Sequence, residues 1–140
     1  MSNSDFESLL EDFDILESWE DRYRYIIDLG KDLEPYPDLY RTEEYRVIGC
    51  ASQVWFYPHI TKGEDEIIFN FKGDSDAMIV KGLIKILVII YNNKTISQLQ
   101  DLDPFVQIKM LGLQEHLSSQ RSNGLKSMIS KIQETLRQYY

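Results

Sequence analysis

Apolar residues recur at helical spacing towards both ends of the chain and at alternate positions in its middle third, so helices are expected to flank a small sheet. Ser4, followed three residues later by Glu7, reads as a capping box before Phe6, Leu9, Leu10 and Phe13, which share one helix face. Ser18 with Asp21 predicts the cap of a second helix. Its inner stripe is Trp19, Tyr23, Ile26, Ile27, Gly30 and Leu33, and its wet face is Glu20, Asp21, Arg24, Asp28, Lys31 and Asp32. Pro35 and Pro37 stop this helix, because each lacks a backbone donor and biases the residue before it toward extended geometry.

The period then changes. Tyr45–Ile48, Gln53–Tyr57 and Ile67–Lys72 are rich in β-branched and aromatic residues, and their short connections predict an antiparallel three-stranded meander. The polar, glycine-containing stretch Thr61–Asp65 suits a hairpin turn. After Gly73 comes the most apolar helix, beginning near Asp76, with Asp74 or Ser75 as its expected cap. A membrane span takes about 20 mostly apolar residues. Lys81 and Lys85 interrupt a shorter run here, which predicts a core helix packed on the sheet. Asp103-Pro104 opens another helix through Met110. The last follows Ser122-Asn123-Gly124, with Leu125, Met128, Ile129, Ile132 and Leu136 on one stripe. The expected architecture is one α/β (α+β) domain over residues 1–140, an antiparallel three-stranded sheet covered by helices.

Charge narrows the function classes. The formal net charge is -8, from 23 acidic and 15 basic residues, which argues against nucleic-acid binding and favours a basic or neutral protein partner. The segment Met1–Glu7 is acidic and lacks the positive region and apolar core of a signal peptide, so cytoplasmic residence is expected. One cysteine and two scattered histidines make a poor metal site, and neither a metal nor an organic cofactor is expected on the isolated protein.

That one cysteine, Cys50, falls on a tight turn between the first two expected strands, beside Gly49. A lone thiol closes no intramolecular disulfide, but as a thiolate it can attack, accept a group and hand it on. Burial as a small apolar residue is the other reading, and the residues alone leave both open.

Three motifs in order resemble the signatures of the SufE-like sulfur acceptor family: Val47-Ile48-Gly49-Cys50-Ala51-Ser52-Gln53-Val54-Trp55, Gly73-Asp74-Ser75-Asp76-Ala77-Met78-Ile79-Val80-Lys81-Gly82-Leu83, and His116-Leu117-Ser118-Ser119-Gln120-Arg121-Ser122-Asn123-Gly124-Leu125. The resemblance runs from about Phe6 to Leu136 and includes Trp19-Glu20-Asp21-Arg22-Tyr23. It implies a fold similar to the IscU-type scaffolds and a role as acceptor of sulfane sulfur from a cysteine desulfurase of the SufS or CsdA kind. Pyridoxal phosphate is then expected on that partner only, and an iron–sulfur scaffold complex as recipient. It further implies Cys50 as the persulfide acceptor, with Gly49, Ser52, Gln53, Asp74 and Arg121 supporting the loop or touching the partner. The three cysteines of a cluster scaffold are missing, and Ala51 stands where many relatives carry a polar residue.

The chemistry of such transfer is the persulfide counterpart of thiol–disulfide exchange, governed by thiolate fraction, leaving group and access. A persulfide is easily oxidised, so a shelter is expected, for which Val54, Trp55 and Phe56 are candidates if they are not ordinary sheet core. Two other functions stay open: a noncatalytic docking activator, and a hydrolase or transferase in which His59 or His116 pairs with Cys50.

Overall fold

The computed structural model of the chain describes residues 2–140, with side chains from Asp5 onward. Helices α1 (Ser2–Ile15) and α2 (Trp19–Gly30) lead through two 3-10 turns, Asp38–Tyr40 and Glu43–Tyr45, into strands β1 (Val54–Lys62) and β2 (Ile67–Ser75). Helix α3 (Met78–Tyr91) and strand β3 (Lys94–Thr95) follow. The chain ends in the short helices α4 (Ile96–Gln100), α5 (Pro104–Met110) and α6 (Leu113–His116) and the long α7 (Ser119–Arg137). The three strands form one antiparallel sheet in the order β1-β2-β3, so the expected α+β architecture is present.

Local chemistry explains most boundaries. Ser18 Oγ accepts the Asp21 amide at 3.1 Å and caps α2 as expected. The Ser4 capping reading lies outside the described side chains. Asp103 caps α5, with Pro104 in the first helical turn, where its missing donor costs nothing. On β2 the buried residues are Phe69, Phe71, Gly73 and Ser75, every second position, and this face meets α3. Helix α3 buries Leu83, Ile84, Leu87 and Ile90, while Lys81 and Lys85 stay half-buried at its edge. Its Gly82 admits α2: a Cβ there would stand 2.0 Å from the Ile26 carbonyl oxygen.

Three expectations are corrected. Residues 45–48 do not make the third strand. Tyr45 closes a 3-10 turn, and only an isolated bridge, Arg46↔Trp55, joins this segment to β1, with the Val47 amide donating to Val54 O at 2.8 Å. The chain must turn sharply at Gly49, which leaves no length for a ladder. The third strand is instead β3, seated by Asn92: its side-chain amide bonds both the N–H and the C=O of Phe71, at 3.1 Å each, in place of a backbone partner. Asn93, at φ 64, then turns the chain into pairing with β2.

Second, neither Asp74 nor Ser75 caps α3. β2 continues through Ser75, the cap position is Ala77, and the Asp74 carboxylate is engaged by Arg41 and by Lys81, 3.6 Å away. Third, α7 starts at Ser119, because Ser118 Oγ accepts the Arg121 amide at 3.2 Å. A serine cap stabilises by about 1 kcal/mol, enough to offset the roughly 1 kcal/mol cost of Gly124 inside the helix.

Candidate functional site

Cys50 sits at the far end of β1 from the hairpin turn, on a loop whose shape depends on Gly49. That residue has φ 99, a conformation that side chains disfavour, and a Cβ on it would lie 2.5 Å from Ser127 Oγ on α7. The loop is therefore pressed against α7 by bare backbone. Its outgoing side is tied to the β2–α3 junction, where the Gln53 amide donates to Asp76 Oδ1 at 3.0 Å and the Asp76 amide returns a bond to Gln53 O at 3.3 Å.

The thiol is half-buried and donates to the Gly124 carbonyl oxygen at 3.6 Å. It opens on a cleft of about 310 Å³ whose apolar wall is Val80, Leu83, Leu125 and Met128, with Ser52, Ser118, Gln120 and Arg121 along the polar side. The helical stripes of α3 and α7 thus form the shelter. Val54 and Phe56 are buried in the sheet core, and none of Val54, Trp55 and Phe56 lines the cleft. Burial pushes the Cys50 thiol up from the usual thiol range, because a thiolate there would lose water.

Arg121 enters the cleft from the first turn of α7. Its guanidinium lies over the Tyr23 ring, 5.5 Å from the centroid, and donates to the Tyr23 hydroxyl, so α2 fixes its place. The structure therefore gathers Cys50, Ser52 and Arg121 about one opening, while Gly49 lies outside its lining, against Ser127, and Gln53 braces the turn. Asp74 stands apart. It projects from the opposite face of β2 to Gly73 and Ser75, in a cluster where Arg41 also lies over the rings of Trp55 and Tyr36, at 5.1 and 5.2 Å.

Neither histidine lines the Cys50 cleft. His59 is paired opposite Asn70, five residues along β1 from Val54, and His116 stacks on Trp19 with ring centroids 4.0 Å apart. No group of three or more metal-binding side chains occurs among the described residues, and no helix among them is long and apolar enough to cross a membrane.

Sequence reasoning missed Gly124, Ser127 and Arg41. For Gly124 a partial signal was present, since Ser118 is by residue type a helix N-cap candidate and a helix begun there places the glycine inside it. Arg41 carried no such signal, because its partners Tyr36, Trp55 and Asp74 come from three separate segments.

Comparison with known proteins follows the same outline. The family model for SufE, an iron–sulfur (Fe-S) metabolism associated domain, matches residues 7–136. An uncharacterized SufE-like protein of Rhizobium meliloti (strain 1021) is 47% identical over 126 residues, covering 90% of each chain. Another from Rhizobium etli is 48% identical over 128 residues, covering 91% of this chain and 86% of the relative. The solution structure of a hypothetical protein from Thermus thermophilus superposes with a TM-score of 0.73 at 19% identity, over 95% of this chain and 93% of that one, which shows a shared fold.

Proposed function

Because the chain belongs to the SufE family of iron–sulfur metabolism domains, we propose that it is a persulfide carrier whose acceptor is Cys50. The observation that carries this reading is the pairing of a lone thiol on a turn that needs glycine's positive φ with an apolar-walled cleft on which the thiol opens. In the transfer, the Cys50 thiolate attacks the terminal sulfur of a cysteine persulfide on a desulfurase. The bond between the two donor sulfurs breaks, the donor cysteine leaves as thiolate, and Cys50 keeps the sulfane sulfur as a persulfide. Nothing is oxidised or reduced overall, and the thiol proton passes to solvent or to the departing thiolate.

Each part of the site has a task in that sequence. The turn presents sulfur at a loop tip, where it can enter another protein's active site. The Gly124 bond is weak enough to be given up on docking, because sulfur is a poor hydrogen-bond donor. On return, Val80, Leu83, Leu125 and Met128 keep water and oxidants from the loaded sulfur. Arg121 at the polar side offers a cation to the persulfide anion or to the incoming partner. Pyridoxal phosphate belongs to the donor in this scheme, and an iron–sulfur assembly complex receives the sulfur.

The test is the intact mass of the protein after incubation with a cysteine desulfurase, pyridoxal phosphate and cysteine. Wild type gains one sulfur, which dithiothreitol removes, and Cys50→Ser gains none. If Cys50→Ser binds and stimulates the desulfurase as well as wild type does, the chain is a docking activator and not a carrier.

A further inference from the structure

The loop that carries Cys50 has a second face. Where the thiol turns toward Gly124, Ile48 turns outward and is 78% exposed, the most exposed large apolar side chain of the described residues. It borders a groove of about 330 Å³ that runs along α7 and is bounded by Arg46, Lys126, Ser127, Lys131 and, at the far end, Glu134. Ser127 is one helical turn beyond Gly124, so cleft and groove flank the same loop. Arg46 shares its charge with the exposed Glu43 at 3.2 Å, whereas Lys126 and Lys131 enter no ion pair among the described residues.

This placement runs against the bulk of the chain. A net charge of -8 would repel an acidic protein, yet the surface beside the acceptor loop offers two lysines unpaired among the described residues, an Arg46 partly offset by Glu43, and an uncovered aliphatic side chain, against the one carboxylate of Glu134. We propose that this groove is a docking surface for the sulfur donor, taking an acidic segment of the desulfurase against Arg46, Lys126 and Lys131, with Ile48 as the apolar anchor. The inference rests on the carrier reading above and adds to it the face and the charge of the partner. Local charge of the opposite sign to the whole steers approach to one orientation, because the groove attracts carboxylates at short range while the remaining surface turns them away. Docking there brings the donor directly onto the loop that holds Cys50.

The experiment measures binding to the purified desulfurase holoenzyme at low and high salt for wild type, K126E/K131E, I48D and the control K62E/K109E. The control carries the same change in net charge on exposed lysines outside the groove. Circular dichroism establishes that each variant is folded. The proposal expects K126E/K131E to weaken binding by about tenfold or more and to flatten its salt dependence. It expects I48D to weaken binding at every salt concentration, and the control to bind like wild type. Equal affinity and equal salt dependence for K126E/K131E and wild type overturn the groove, as does an equal loss in the control, which makes the effect one of bulk charge. The mass of wild-type protein recovered from the same mixtures separates the two readings. A persulfide with an indifferent groove leaves the carrier standing, and salt-sensitive binding through the groove without persulfide leaves the docking surface and removes the carrier.

Discussion

The Cys50 Sγ lies 3.6 Å from the carbonyl oxygen of Gly124, a contact between a turn and a helix 74 residues apart in sequence. It holds the thiol in a half-buried position where burial raises its pKa. Between the pKa of the unfolded chain, roughly 8.5, and the raised native value, the unfolded state has lost the proton and the native state has not. Stability therefore falls as pH rises through that window. Alkylation of the free protein by iodoacetamide should accordingly rise with pH along a curve displaced above that of a free cysteine. The Cys50→Ser variant should lose less stability than wild type over the same alkaline range. Rate against pH by mass spectrometry, with urea midpoints for both proteins, checks both statements.

Gly49→Ala should reshape the loop that holds Cys50. A side chain at φ 99 is strained by about 1–3 kcal/mol, and the new Cβ would sit 2.5 Å from Ser127 Oγ. Lower stability by denaturant titration is expected, together with faster alkylation of Cys50, since the loop can relieve the clash by lifting off α7. Adding Ser127→Ala, which removes the hydroxyl without placing a glycine in α7, should recover part of the loss, namely the steric part and not the dihedral part.

Gly82→Ala tests the packing of α2 on α3. The added methyl meets the Ile26 carbonyl oxygen at 2.0 Å, which is backbone and has no rotamer to yield. Overpacking of this kind costs about 3 kcal/mol, so a clear drop in the thermal midpoint is expected despite alanine's better helix propensity.

Arg41 should matter through its shape as well as its charge. It donates to Asp74 and Asp38 while its plane lies over Tyr36 and Trp55. Removing it as Arg41→Ala should destabilise by about 1–2 kcal/mol, the exposed Asp38 pair contributing little of that. Arg41→Lys should recover only part, because an ammonium keeps the ion pair and loses the stacking. Urea midpoints of the three proteins give the comparison.

The chain's own pattern determined that α1, α2, α3, α5 and α7 exist, and the inner faces of α1, α2, α3 and α7, because amphipathic periods, serine caps and prolines act within a few residues of each other. The short α4 and α6 and the start of α7 were not read from it. Ser18 and Asp21, the Phe69 and Phe71 face of β2, and the apolar run of α3 needed no tertiary information. The turn character of Gly49-Cys50 was legible in the same way, and so was the family, since its motifs are contiguous. What only the tertiary structure decided is whatever depends on distant partners. The segment 45–48 has strand composition but one isolated bridge, while Lys94–Thr95 has little strand character and completes the sheet through Asn92. Asp74, chemically suited to cap a helix, was drawn off by Arg41 and Lys81. The shelter of Cys50 came from α3 and α7 and not from its neighbours in sequence, because a side chain's surroundings are set by which helix faces converge on it, and that convergence is fixed by the packing of the whole core.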